Sequence, residues 1–173
     1  MDILYTVEEK YLQAVEELTY GELPKALHLF HEIVNAESDY GRAYYQLGSI
    51  YHYYFKNFQS AGYYYKKCIE LEAEFPDVYE HYLRLLITLN MPKLIERIAQ
   101  KALVTAGVCK AQIYESLGMF AEEELKFDAA AAYYKKASLS TSSLQDHGLF
   151  QDHLKRIETK QKANQNLVYA YQG

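Results

Sequence analysis

Residues Tyr44–Cys68, YYQLGSIYHYYFKNFQSAGYYYKKC, and Tyr114–Ala137, YESLGMFAEEELKFDAAAAYYKKA, are two renderings of one pattern. The first reads Tyr44-x2-Leu47-Gly48-x2-Tyr51 followed by Ala61-x3-Tyr65-x2-Cys68. The second reads Tyr114-x2-Leu117-Gly118-x2-Ala121 followed by Ala130-x3-Tyr134-x2-Ala137. Weaker copies precede and separate them, so the chain repeats itself about every 34 residues. A fixed period of that size describes a stack of similar supersecondary units, each burying its apolar face only against its neighbours.

Helix signals fall between the copies. Thr6 with Glu9 is a capping box, and Tyr11, Ala14, Val15 and Leu18 recur behind it at helical spacing. Tyr20-Gly21-Glu22 breaks that helix, and Pro24 suits the first turn of the next, where its missing N–H costs nothing. Pro92 opens another helix in the same way after Asn90-Met91. Small residues recur at matching places: Ala14, Gly48 and Gly118 in the first helix of a pair, Ala26, Ala61 and Ala130 in the second. Glycine inside a helix costs about 1 kcal/mol against alanine. Its use twice at one phase predicts a close crossing of two helices. The second pair has one residue more than the fourth, which predicts a longer turn near Phe55–Phe58.

The pattern aromatic-x2-Leu-Gly-x2-Tyr…Ala-x3-aromatic-x2-Ala resembles the tetratricopeptide repeat, a helix–turn–helix unit. The resemblance covers residues 7–143. It implies an all-α fold, a right-handed α-solenoid of about four helix pairs (7–40, 41–75, 76–110 and 111–143) with a capping helix over 144–173. Ala14 in the first pair and Leu83 in the third depart from the usual glycine. The polar run Ser138–Ser143 ends the array, and Ser142 with Gln145 offers a second capping box. Phe150, Leu154 and Ile157 form the apolar stripe of the last helix. From Glu158 to Asn166 every face is polar, which predicts an extension or a fray.

Composition narrows the function. A net charge of −5 argues against nucleic-acid binding. No apolar run approaches the roughly 18 residues of a membrane span, and residues 1–10 carry no pattern of a secretory leader. With only Cys68 and Cys109, a disulfide framework is not expected, and a reduced cytoplasmic setting is. Cys68 falls at a small-residue packing position and reads as a buried thiol; Cys109, at a helix entrance, is the candidate reactive one. His28 and His31 lie three apart, but no third metal ligand stands at motif spacing, so no metal is expected. His147 and His153 read as surface residues, and Glu122–Glu124 as a solvated face. With no phosphate-cradling loop, nucleophile motif or paired CxxC, neither an enzyme nor a cofactor is expected.

The expected function is a non-enzymatic adaptor or chaperone-like scaffold that binds a peptide or helix of another protein. The resemblance implies a groove lined by the first helix of each pair. In this sequence its positions are Glu8, Tyr11 and Val15; Arg42, Tyr45, Ser49 and His52; Asp77, Glu80 and Arg84; and Gln112, Glu115 and Met119. Tyr11, Tyr45 and Met119 are the anchor type of residue. The branch of the family that clamps chaperone C-termini needs Lys and Asn where this chain has Tyr11, Val15 and Gln46, so that branch is not expected. Two alternatives stand beside the adaptor reading. One is self-association into a homo-oligomer through the last helix, the other a secretion-chaperone-like role by analogy of fold.

Overall fold

The computed structural model describes residues 6–172, with side chains through residue 164. Among them all regular structure is helical: α1 (Val7–Tyr20), α2 (Leu23–Ala36), α3 (Gly41–Ser49), a π-helical turn (Ile50–Tyr54), α4 (Phe58–Leu71), α5 (Asp77–Thr88), α6 (Pro92–Val104), α7 (Lys110–Glu123), α8 (Phe127–Ser140) and α9 (Leu144–Gln172). They form two compact units, one up to Leu89 and one from Asn90. The boundary falls inside the third repeat.

Local chemistry starts and stops the helices. Thr6 Oγ1 accepts from the Glu9 N–H at 3.2 Å while Glu9 Oε2 accepts from the Thr6 N–H at 2.8 Å, so the capping box forms. Asn57 caps α4 by accepting from the Ser60 N–H. Within each of three pairs, the residue two before the second helix is left-handed: Lys56 (φ 52), Asn90 (φ 48) and Leu125 (φ 58). At the last helix Ser143 Oγ accepts from the Asp146 N–H at 3.2 Å, so the cap lies one residue later than the expected Ser142–Gln145 box.

The extra residue of the second pair is not in the turn. The same backbone bond closes both turns, from Lys126 N–H to Ala121 O and from Asn57 N–H to Tyr51 O, spanning one residue more in the second pair. Upstream, Glu124 N–H reaches Phe120 O four residues back, whereas Phe55 N–H reaches Ile50 O five back. The surplus residue is absorbed as a π-turn inside the helix, leaving the left-handed turn unchanged. Such insertions are common at functional sites.

In the first unit α1 to α4 enclose Ala14, Ala26, Phe30, Ile33, Ala43, Leu47 and Ile50. The repeat glycines have a specific use. A Cβ on Gly48 would sit 2.5 Å from the ring of Tyr65, and one on Gly118 would sit 2.7 Å from the ring of Tyr134. Both rings are fully buried. The aromatic of the second helix thus packs directly on the bare backbone of the first. The motif-opening tyrosines tie the repeats to the preceding turn: Tyr44 donates to Ser38 O at 3.1 Å and Tyr79 to Ala73 O at 2.5 Å.

In the second unit α9 takes the place toward α7 and α8 that α5 takes toward α3 and α4. His153 lies 4.7 Å from the Tyr134 ring, as Tyr82 lies 5.9 Å from Tyr65. Phe150 packs with Ala111 and Ala137, and Ile157 with Ala130 and Tyr134. The polar end of α9 is also docked. Glu122 is 7% exposed and accepts from Tyr134 (2.8 Å), from Arg156 through Nε (2.8 Å) and Nη2 (2.7 Å), and from Lys160 (2.7 Å). Gln161 donates to Asp128 at 2.7 Å. Glu122 therefore departs from the expected solvated face, and Lys160 and Gln161 from the expected fray. An acid on α7 and bases one turn apart on α9 are too far apart in sequence for any local pattern to pair them. His153 is likewise not a free surface group. It accepts from Arg156 at Nδ1 (2.8 Å), which leaves Nε2–H to donate to Glu115 (3.2 Å).

Candidate functional site

The expected groove positions of the first unit lie on the adjoining first helices α1, α3 and α5. Two cross-helix pairs join them. Gln46 on α3 donates to the Tyr11 hydroxyl on α1 at 3.2 Å. Tyr45 on α3 lies 5.6 Å from His81 on α5, and the Tyr53 hydroxyl is 2.7 Å from His81 Nδ1.

Each position has a definite state. Glu8 is exposed and accepts from the Tyr40 hydroxyl at 2.6 Å. Tyr11 is half-buried between Phe30 and Tyr40, and Val15 packs on the first core cluster. Arg42 is exposed and pairs with Glu72 at 3.6 Å. Tyr45 is half-buried against Phe75 and His81, and burial pushes its hydroxyl up to about 12. Ser49 shares the Tyr65 hydroxyl at 3.4 Å. Asp77 is exposed, and Glu80 holds the exposed Arg84 at 2.8 Å. On α7 of the second unit, Gln112 and Met119 are exposed, whereas Glu115 is held by His153 of α9.

His52 is buried, at 6% exposure, stacked on Tyr53 and edge-on to Tyr65. It does not line an open face. The π-turn brings out its neighbours instead: Tyr53, Tyr54 and Phe55 are 38%, 57% and 49% exposed. Tyr53 and His81 belong to this face, and spacing rules taken from the repeat missed them. The one-residue surplus between Gly48 and Ala61 was the available signal.

Burial holds the His52 imidazole down to about 4, with His81 beside it adding to the effect. His81 and His31 are lowered as well, mainly by burial. A histidine depressed in the folded state contributes stability above its unfolded value of 6.5, and that stability is lost as pH falls toward about 4. At about pH 5 the loss from His52 alone amounts to about 2 kcal/mol. The melting temperature of the wild type should fall between pH 7 and pH 5, and His52→Phe should shrink that fall. An equal fall in both proteins would remove His52 from the account.

Among the described residues no group of three His, Cys, Asp or Glu is arranged to hold a metal. Every buried side-chain nitrogen or oxygen described has a hydrogen-bond partner. Cys68 is buried and pushed up to about 12, which keeps it a thiol; Cys109 is exposed at the entrance of α7. His31 packs edge-on against Tyr51 and Tyr64. No described helix is long and apolar enough to cross a membrane. The face across α1, α3 and α5 is a surface of half-exposed rings and short ion pairs.

Solved structures share this architecture. A MamA fragment from Desulfovibrio magneticus RS-1 superposes with a TM-score of 0.65 at 15% identity, over 91% of this chain and 96% of its own. PilW, described as a type IV pilus biogenesis factor, gives 0.70 at 15% identity over 91% and 76%. YrrB, described as a TPR protein with an unusual peptide-binding site, gives 0.66 at 17% over 97% and 93%. The fold is that of the tetratricopeptide-repeat proteins. Identities this low speak to the fold alone. No protein-family model matches the sequence, and no curated protein matches it either.

Proposed function

We propose that this chain is a non-enzymatic interaction scaffold that binds an extended segment or helix of a partner protein across α1, α3 and α5. The observation that carries the proposal is the Tyr45–Tyr53–His81 cluster with Arg84 one turn further along α5. Rings held half-exposed by packing offer apolar area at little entropic loss, and an arginine fork meets a carboxylate or a backbone carbonyl. The peptide-binding site in the description of YrrB, a protein of the same fold, supports a peptide ligand of this kind. Two unpaired cysteines suit a reducing cytoplasm. Self-association through the last helix has less to work with, since Phe150 and Ile157 are buried within their own unit.

Tyr53→Ala with Arg84→Ala tests the proposal by affinity capture from the native cell. These two are more exposed than Tyr45, whose truncation would also disturb the packing against Phe75 and His81. Loss of hot-spot residues of this type costs about 2 kcal/mol or more, roughly a 30-fold loss of affinity. The helix content should not change. A control on the second helices, His28→Ala with Lys66→Ala, removes two exposed side chains and should bind normally. If the control loses the partner and the double variant keeps it, the binding face is not the one proposed.

A further inference from the structure

The second unit contains a cleft of about 430 Å³ between α6, α7 and α8, lined in part by Ala99, Gln100, Tyr114, Ala121 and Tyr133, with Lys136 at its side. The first unit shows what the same place looks like when it is filled. In repeat phase Gln100 corresponds to His31, Tyr114 to Tyr44, Ala121 to Tyr51 and Tyr133 to Tyr64. There the Tyr51 ring stacks on Tyr64 at 5.3 Å and 21°, His31 stands edge-on to both, and Tyr44 closes the side 6.2 Å from Tyr64. The Tyr51 hydroxyl lies 3.5 Å from His31 Nε2. The second unit keeps the walls, Tyr114 and Tyr133, and keeps a hydrogen-bonding group, Gln100. It lacks the ring, because Tyr51 has become Ala121. Ala99 also lines the cleft, standing where the other three repeats carry Phe30, Tyr65 and Tyr134.

Charge narrows the occupant. Lys136 lies over the Tyr114 and Tyr133 rings, 5.6 and 5.7 Å from their centroids, and pairs with no carboxylate among the described residues. Its repeat equivalent Lys67 pairs with Glu70 at 3.6 Å, a carboxylate it shares with Lys66; the place of Glu70 is taken by Leu139. Of the other charges of the lining, Glu124 pairs with Lys126 at 3.6 Å. Glu96 keeps its charge while accepting from the Gln100 amide at 3.5 Å, so the Gln100 carbonyl is the group that a phenol would meet.

We propose that this cleft is a docking site for a tyrosine or phenylalanine side chain of a partner protein, with an acidic residue next to it in the partner's sequence. The ring stacks on Tyr133 as Tyr51 does on Tyr64, a phenol meets Gln100, and the adjacent carboxylate meets Lys136. The site lies wholly in the second unit and does not depend on the reading of α1, α3 and α5.

The probe is the peptide acetyl-Gly-Tyr-Glu-Gly-amide, titrated into the full chain and followed by two-dimensional amide NMR. Saturable shifts at Ala99, Gln100, Ala121 and Tyr133 are expected. The peptide with Ala for Tyr should give none there, and Lys for Glu should bind roughly threefold more weakly. Ala121→Tyr, which restores the ring that Tyr51 supplies in the first unit, should close the site. Should that variant fold poorly, Lys136→Glu, an exposed change, should reproduce the threefold loss for the Tyr-Glu peptide while the melting temperature holds. The proposal is overturned by the absence of saturable shifts, by equal shifts with the Ala peptide, or by an unchanged affinity in Lys136→Glu. It is also overturned if only free 4-hydroxyphenylacetate saturates the site, or if the lining resonances broaden with protein concentration alone. Those two outcomes assign the cleft to a small molecule and to a second copy of the chain.

Discussion

Gly118→Leu should cost the second unit more stability than any other single change to a small residue, and Gly148→Leu should cost little. A Cβ at Gly118 meets the Tyr134 ring at 2.7 Å, and that ring is fully buried with its hydroxyl bound to Glu122, so it has nowhere to swing. Overpacking of this kind costs about 1–3 kcal/mol, and the rest of the leucine adds to it. Even Gly118→Ala should destabilise, although alanine is the better helix former by about 1 kcal/mol. Nothing lies within 4 Å of a Cβ on Gly148. Gly48→Leu should repeat the effect in the first unit, where the Tyr65 ring stands at 2.5 Å. Melting curves of the four variants decide the matter. Equal losses at Gly118 and Gly148 would mean that the ring-on-glycine contact contributes nothing.

Arg156→Ala should be the costliest exposed-residue change, because it strands a buried acid. The Arg156 fork holds the Glu122 carboxyl down to about 2 from its ordinary 4.5, assisted by Lys160 and Tyr134. Removing one partner of a buried pair costs about 3–5 kcal/mol; Lys160 remains, so the lower end is expected. The sign with pH follows from the lowered value. The contribution is complete above about 4.5 and is lost as pH falls through about 2. The deficit of Arg156→Ala should therefore be full at neutral pH and shrink in acid. A deficit independent of pH would assign the effect to lost packing of the arginine stem. Calorimetry on each variant should be read per transition, since two compact units need not unfold as one.

The helix pairs were legible because their signals are local. Thr6 with Glu9, Pro24, Pro92 and the phase of Gly48 and Gly118 each act within a few residues or recur at a fixed spacing. The Glu122–Arg156 pair was not legible, since no periodicity links an acid on α7 to a base on α9. The surplus residue of the second repeat was visible as a count, but a count does not say whether the backbone spends it in a turn or in a π-turn. The candidate face is what the resemblance to the tetratricopeptide repeat implies, and a position carried over in that way does not tell an exposed side chain from a packed one. His52 is therefore buried, whereas Tyr53 beside it is open.

Site-specific photo-crosslinking in the native cell tests the interaction face most directly. A photoreactive residue placed at Tyr53, Arg84 or Arg42 should label one common partner protein, and the same residue at His28 or Lys66 should not. Labelling of that partner from His28 and Lys66 alone, with the first-helix positions silent, would contradict the account.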